Sequence, residues 1–286
     1  DYYDDLKIDD SILQAQTDSY RRIRNTFRYL IGNLNDLQEN EKIDIAEFPE
    51  LEKFILHRLW EIHQIVKDCT SKYNFHLMFT TLLNFCSNEL SSFYFDIRKD
   101  TIYCDSFYSK KRRASRTLLD ILFNYMVRWL APSLVFTCEE AWQSKGNTSS
   151  IHLEEFIEAD PEFRNDAIAE KWKQIKDIRK VITGALEIKR AEKTIRSSLE
   201  SHIDIYLSKE IKSKIGDTDL AEIAITSSST IMDIINSSPG FSIEDIKDIV
   251  VDVKKAEGFK CNRCWKFDSK INSNGICGRC SNVIKK

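Results

Sequence analysis

Residues 11 to 31 read SILQAQTDSYRRIRNTFRYLI, with Ile12, Ala15, Ile23, Phe27, Leu30 and Ile31 in helical phase and arginines on the intervening faces. This pattern predicts an amphipathic helix. A connector around Asn33 to Pro49 leads into PELEKFILHRLWEIHQIVKDC, where Leu51, Phe54, Ile55, Leu59, Ile62, Ile65 and Val66 repeat the spacing. Residues 75 to 97, FHLMFTTLLNFCSNELSSFYFDI, are more continuously apolar and predict a helix at the centre of a bundle. A fourth long helix is expected from Lys110 through RTLLDILFNYMVRWL to Ala131-Pro132. There the proline, which has no amide hydrogen and clashes with the preceding turn, should stop or kink it. The shorter helical piece SLVFTCEEAW follows, and a first domain closes near GNTSS at 146 to 150.

Beyond that point the period changes. Residues 164 to 195 predict one long charged helix, whereas HIDIYL (202 to 207), AEIAIT (221 to 226) and IVVDV (249 to 253) are short, β-branched and partly alternating, which predicts strands. The Ser-rich stretch TSSSTIMDIINSSPG reads as loops around a short apolar element. The expected organisation is a helical bundle over 1–150, a long helix with a small α/β segment over 151–257, and a cysteine-rich module over 258–286.

Composition agrees with a mainly α protein: 286 residues are 42% hydrophobic with only 8 Gly and 4 Pro, few for a chain rich in β-turns. No apolar run approaches the roughly 20 residues that span a bilayer, and the acidic opening is unlike a secretory signal. The expectation is therefore a soluble, cytoplasmic protein without a membrane partner. The chain opens on Asp in mid-pattern, as a fragment of something longer would. Net charge is −3, but from Lys254 to Lys286 nine Lys/Arg stand against Glu257 and Asp268, a candidate surface for a polyanion.

The same tail holds Cys261-Asn-Arg-Cys264 and Cys277-Gly-Arg-Cys280. A two-residue spacer lets both thiolates of a pair converge on one point, and two such knuckles supply the four sulfurs that tetrahedral zinc prefers. Gly275 and Gly278 suit the tight backbone of such knuckles. So short and polar a tail needs a cross-link or a metal in place of a core. One structural Zn2+ on Cys261, Cys264, Cys277 and Cys280 is the favoured reading; a redox dithiol and two structural disulfides are the alternatives. Cys69, Cys86, Cys104 and Cys138 are scattered through apolar helical sequence and are expected to be free and buried. His57, His63, His76, His152 and His202 stand alone and read as structural.

Lys260, Arg263, Lys266, Lys270 and Arg279 accompany Trp265 and Phe267 in the tail. Cations neutralise phosphates and an exposed indole stacks unpaired bases, so the set suits single-stranded or loop RNA. The alternative is that Trp265 packs over the zinc knuckles and the lysines only solubilise. Two further basic clusters lie on helices, Arg21, Arg22, Arg24 and Arg28, then Lys110, Lys111, Arg112, Arg113 and Arg116; for either, a salt-bridged solvent face competes with RNA binding. No Gly-rich phosphate loop, Ser/His/Asp set or nucleophile elbow is visible.

The segments YRRIRNTFRYLIGNLNDL (20 to 37), YNFHLMFTTLLNFCSNELSSFYFDIRKDTIYC (73 to 104), LAPSLVFTCEEAW (130 to 142), IHLEEF (151 to 156), IRKVITGALEIKRAEKTIRSSLES (178 to 201) and KCNRCW with CGRC resemble, in order and spacing, the C-terminal part of bacterial-type isoleucyl-tRNA synthetases. DYYDDLKI resembles the segment after that family's KMSKS loop, which would make residue 1 the exit from the catalytic domain. The resemblance implies a class I anticodon-binding helical bundle, a small α/β segment and a C-terminal four-cysteine zinc knuckle, in a ligase whose HIGH and KMSKS motifs precede this stretch. ATP and Mg2+ would belong to that catalytic domain. The implied partner is tRNA(Ile), bound by a monomer, with Arg21, Arg22, Arg24 and Arg28 of the bundle and Arg263, Trp265, Lys266 and Arg279 of the tail as RNA contacts; Arg24 and Asn25 could instead tie helices together. The family usually has glycine where Arg196 stands, so a different turn is expected there. The rival readings are the equivalent part of a valyl, leucyl or methionyl synthetase, or a freestanding zinc-ribbon scaffold.

Overall fold

A computed structural model describes residue 5, residues 7–235 and residues 237–284. Most of DYYDDLKI, and with it the expected exit from a catalytic domain, lies outside the described residues. The chain forms two compact units, Asp1–Ile102 with Phe107–Asn165, and Tyr103–Ser106 with Asp166–Lys286.

The first unit is helical. Helix α1 (Asp10–Leu34) starts where the Asp9 carboxylate accepts the Ile12 amide at 3.0 Å, satisfying a donor left free by the first turn. Its apolar face is buried only from Ile23 onward, through Phe27, Leu30 and Leu34; Ile12 and Leu13, on the earlier turns, are exposed. Helix α2 (Glu50–Ser71) buries Leu51, Phe54, Ile55, Leu59, Ile62 and Val66 as its periodicity predicts, while Ile65 stays partly exposed.

The apolar stretch from Phe75 runs as α3 (Phe75–Asn84), then a wider π-helical winding over Phe85–Phe95, then α4 (Asp96–Cys104). Its apolar character predicts the bundle centre, yet Phe75 and Leu77 are exposed. The central position belongs to α5 (Lys110–Leu130), in which Ala114 to Leu130 are almost all buried, including the polar Ser115, Arg116 and Asp120. The proline break precedes α6 (Val135–Ser144).

Two buried charge groups lock this unit. Arg98 donates to both oxygens of Glu52 at 2.6 and 2.7 Å, and the Tyr94 and Ser115 hydroxyls donate to Glu52 Oε1 at 3.1 and 3.0 Å. The second explains the basic start of α5. Arg113 donates to the Glu41 and Asn40 carbonyls, and Arg116 bonds Glu41, Asp36 and the Asn33 carbonyl. These guanidiniums satisfy the polar loop between α1 and α2, so they are structural. Four of the histidines have polar partners: His57 Nδ1 accepts the Asn165 amide at 3.0 Å, and His63, His152 and His202 meet Glu158, the Val135 carbonyl and Asp204, while His76 is exposed.

In the second unit α7 (Asp166–Ala191) buries Trp172, Ile175, Ile178, Val181 and Ile182 and packs on two strands of a sheet of order β2-β1-β4-β3. Strand β1 (Ser201–Leu207) pairs in parallel with β2 (Ser228–Asp233) and antiparallel with β4 (Ile246–Lys255), whose other edge takes β3 (Phe241–Ile243). Gly184 permits the β3 approach, since a Cβ there would meet the Phe241 ring at 2.6 Å.

Two expectations are corrected here. AEIAIT is not a strand: after α8 (Lys209–Ile215), Asp219 caps the Glu222 amide at 3.1 Å and Leu220–Ala224 forms helix α9, ended by Ile225 at φ 58°. The Ser-rich stretch, expected as loops around a short apolar element, supplies edge strand β2 across Ser228–Asp233. An edge strand needs one hydrogen-bonded neighbour and little apolar side chain, so its sequence is polar. Arg196 does not adopt positive φ; Lys193 does, at 59°, and the Arg196 amide is held by Glu200 Oε2 at 2.9 Å.

Candidate nucleic-acid interface and metal centre

A two-stranded ribbon, β5 (Phe259–Lys260) with β6 (Phe267–Asp268), brackets the first cysteine knuckle, and the second opens the short helix α10 (Gly278–Ile284). The Cys261, Cys264, Cys277 and Cys280 sulfurs all lie within 4.8 Å of one another, and all four residues are buried. Zinc–thiolate bonds of about 2.3 Å in a tetrahedron put neighbouring sulfurs about 3.8 Å apart. Cys264 Sγ and Cys277 Sγ are 3.8 Å apart, too far for a disulfide, and no disulfide joins any cysteines among the described residues.

Local backbone serves this geometry. The Cys277 amide donates to Cys261 Sγ at 3.3 Å. Burial by itself would raise the Cys261 thiol, but amide donors from Cys264, Cys277 and Arg263 outweigh it and hold the group down at about 6. Cys280 is pushed up to about 12 by burial, with Arg263 opposing, and burial also raises Cys264. Gly275 takes φ 72°, and a Cβ there would stand 2.2 Å from Asn262 Nδ2. Gly278 has open space around its Cβ position and needs no such freedom. The left-handed residue of the first knuckle is Trp265, at φ 64°, which returns its amide to the Cys261 carbonyl at 2.9 Å.

That backbone turns the indole outward. Trp265 is 60% exposed, with the Lys260 ammonium 5.6 Å from its ring centroid and Phe259 also exposed nearby in sequence. The choice between covering the metal knot and facing solvent is thus decided for solvent. Lys266 is half-buried. Arg263 and Arg279 point elsewhere: Arg263 donates to the Cys104 and Tyr103 carbonyls at 2.5 and 3.2 Å, and Arg279 pairs with Asp105 at 3.3 Å. Cys86 and Cys138 are inert by comparison, their thiols pushed up to about 12 by burial.

In the first unit the α1 arginines are exposed. Arg21 makes an exposed pair with Asp18 at 3.3 Å, whereas Arg22, Arg24 and Arg28 have no side-chain partner among the described residues. Arg24 and Asn25 therefore do not tie helices together. Arg24 and Arg28 line one wall of a cleft of about 460 Å³ with Phe27 and Ile31; Thr137, Glu140, Ala141 and Ser144 of α6 form the other wall. Thr137, in the cleft wall, bonds the Tyr20 hydroxyl at 2.9 Å, and the residue before it in α6, Phe136, is 88% exposed without lining the cleft. Phe136 escaped the reading of the sequence although a signal was present. Cys138, Ala141 and Trp142 form the buried stripe of α6, and Phe136 is out of phase with them.

No helix among the described residues is long and apolar enough to cross a membrane. Residues 52–207 match the family model of the anticodon-binding domain of tRNA ligases. The chain is 42% identical over 276 residues to the isoleucine--tRNA ligase of Agrobacterium fabrum and 43% identical over 276 residues to that of Bartonella henselae; each match covers 96% of this chain and 28% of the relative. To the Pelagibacter ubique isoleucine--tRNA ligase it is 43% identical over 271 residues, 93% of this chain and 29% of the relative. The chain thus spans less than a third of the length of these relatives.

Proposed function

Because the chain belongs to the family of anticodon-binding domains of tRNA ligases, we propose that it is the tRNA-binding part of an isoleucine--tRNA ligase and recognises the anticodon arm of tRNA(Ile). The observation that carries this reading is the α1–α6 cleft, where Arg24 and Arg28 have no side-chain partner among the described residues; on α6 the exposed ring of Phe136 belongs to the residue before the cleft-lining Thr137. Guanidiniums neutralise the loop phosphates and the ring stacks a base that has left the helical stack. Arg21, which shares three- and four-residue steps with Arg24 and Arg28, extends the cationic face along α1, while Arg22 lies on another face of the helix. In the second unit Trp265, with Lys260 and Lys266, offers a second stacking and phosphate-contacting surface. A wrong base leaves a desolvated polar group unpaired, at a cost of about 1–3 kcal/mol. Attachment of isoleucine with ATP and Mg2+ belongs to the part of the ligase beyond this chain.

Cys261, Cys264, Cys277 and Cys280 would hold one Zn2+. Four thiolates fill a tetrahedral shell, so the ion contributes folding free energy in place of a hydrophobic core and leaves no position for a reacting water. The donor set, its 3.8 Å sulfur separation and the amide donors to sulfur fit that ion. The chain's own residues do the rest: the knuckle backbone presents Trp265 outward while the ribbon fixes its direction.

The test is binding of the purified chain to tRNA(Ile) and to the same tRNA with an exchanged anticodon, over a salt series. The expected result is a preference for the native anticodon and an affinity whose logarithm falls linearly with the logarithm of salt. Equal affinity for the two tRNAs would sink the reading. Metal analysis of protein purified under reducing conditions should return one zinc per chain; none would remove the metal assignment.

A further inference from the structure

The two knuckles share a feature that neither metal ligation nor RNA binding uses. Each carries an arginine immediately before its second cysteine, Arg263 in Cys-Asn-Arg-Cys and Arg279 in Cys-Gly-Arg-Cys. Both guanidiniums turn to the same four-residue segment, Tyr103–Ser106, which belongs to the same compact unit although it lies about 160 residues earlier in the chain. Arg263 Nη1 reaches the Cys104 carbonyl at 2.5 Å and Cys280 Sγ at 3.7 Å, and its Nη2 reaches the Tyr103 carbonyl at 3.2 Å. The Cys104 thiol returns a weak bond to the Arg263 carbonyl at 3.9 Å. Arg279 pairs with Asp105 at 3.3 Å and stands beside the Cys264 sulfur. Cys104 packs in one buried cluster with all four knuckle cysteines.

We propose that Tyr103–Ser106 is a built part of the metal module, and that Arg263 and Arg279 are positioning residues that hold thiolates and segment together, so that metal occupancy orders this segment. The inference rests on the metal reading above. Four thiolates around a divalent ion carry a net charge of −2, and N–H donors aimed at sulfur from outside the coordination shell disperse that charge and fix each sulfur's direction. Each arginine here places part of its guanidinium near a sulfur and the rest on a segment remote in sequence. The guanidinium suits this double task, because its rigid fork presents several donors at once where an ammonium offers one point charge.

Amide hydrogen exchange on the intact chain, with zinc bound and after removal by a chelator, tests this without any substitution. Exchange at 103–106 should accelerate when the metal leaves. Arg263→Met should weaken zinc retention roughly ten- to a hundred-fold, the usual range for outer-shell changes, and in the Co2+-substituted chain should move the sulfur-to-metal charge-transfer band to longer wavelength. Arg263→Lys, which keeps the charge but lacks the planar fork that reaches sulfur and carbonyls at once, should fall between. Unchanged exchange at 103–106 on metal removal overturns the proposal, as does an Arg263→Met chain that matches the wild type in both zinc retention and band position. A wild-type chain that binds no zinc overturns the metal reading and this inference with it; a zinc-loaded chain with unchanged exchange removes this inference alone.

Discussion

Replacing Phe136 by alanine separates RNA binding from folding, because the ring is almost wholly exposed on α6. The side chain is 88% exposed, so about an eighth of it is covered. For an aromatic side chain of about 200 Å² that coverage amounts to about 25 Å², and at about 25 cal/mol per Å² its loss costs roughly 0.6 kcal/mol. Alanine's better helix propensity returns about 0.5 kcal/mol at a surface site of α6. Thermal stability should therefore be nearly unchanged. Stacking of a base on an aromatic ring contributes about 1–3 kcal/mol, which corresponds to a roughly five- to 150-fold weaker Kd. The assay is fluorescence anisotropy with a labelled tRNA(Ile) anticodon stem-loop at fixed ionic strength, run on wild type, Phe136→Ala, Phe136→Leu and Phe136→Trp. Tryptophan should retain affinity, while leucine, apolar but without a π face, should not. A Phe136→Ala chain that binds within twofold of wild type, with an unchanged melting temperature, would refute stacking at this ring.

Three further outcomes are expected. Arg98→Met strands Glu52, which is 0% exposed and keeps only the Tyr94 and Ser115 hydroxyls; urea unfolding should show a loss of about 3–5 kcal/mol, and a loss under about 1 kcal/mol would contradict the role given to this pair. Trp265→Gly relieves a left-handed backbone that costs an L-residue about 1–2 kcal/mol, so zinc retention should hold or rise while tRNA affinity falls; parallel losses of both would mean that the indole is structural. Burial opposes ionisation of Asp120, but Lys145 and Lys42 outweigh it and hold its carboxyl below the usual range. Its contribution is therefore present above the unfolded carboxylate pKa of about 3.9 and is lost as pH falls through the lower folded value. The stability gap between wild type and Asp120→Asn should be constant from about pH 5 to 7 and close below about pH 4, and a gap that widens on acidification would reverse the sign.

The long helices were legible because each must bury one stripe, and burial along a 3.6-residue period leaves a mark in the order of residues. Ile23, Phe27 and Leu30 of α1, or Leu51, Ile55, Leu59 and Ile62 of α2, could hardly be read otherwise. The cysteine knuckles were legible for a similar reason: a two-residue spacer is a local device, and its geometry is complete within the stretch that encodes it. The elements misread were those whose state is set from outside. Leu220–Ala224 is short, and its Asp219 cap together with the neighbouring α7 outweighs β-branched propensity, whereas β2 is a strand because β1 offers it hydrogen bonds.

The basic residues divide along the same line. Sequence determined that three clusters exist, since charge is a property of the residue. Only tertiary structure decided what each faces, because a guanidinium bonds whatever acceptor lies within reach. Arg113 and Arg116 find the carbonyls and carboxylates of the α1–α2 loop, Arg263 and Arg279 find Tyr103–Ser106, and Arg24 and Arg28 are left to an open cleft. For Trp265, likewise, composition allowed either a cover for the metal knot or a platform for a base. The left-handed backbone of the knuckle, fixed by its own hydrogen bond to Cys261, directs the ring to solvent.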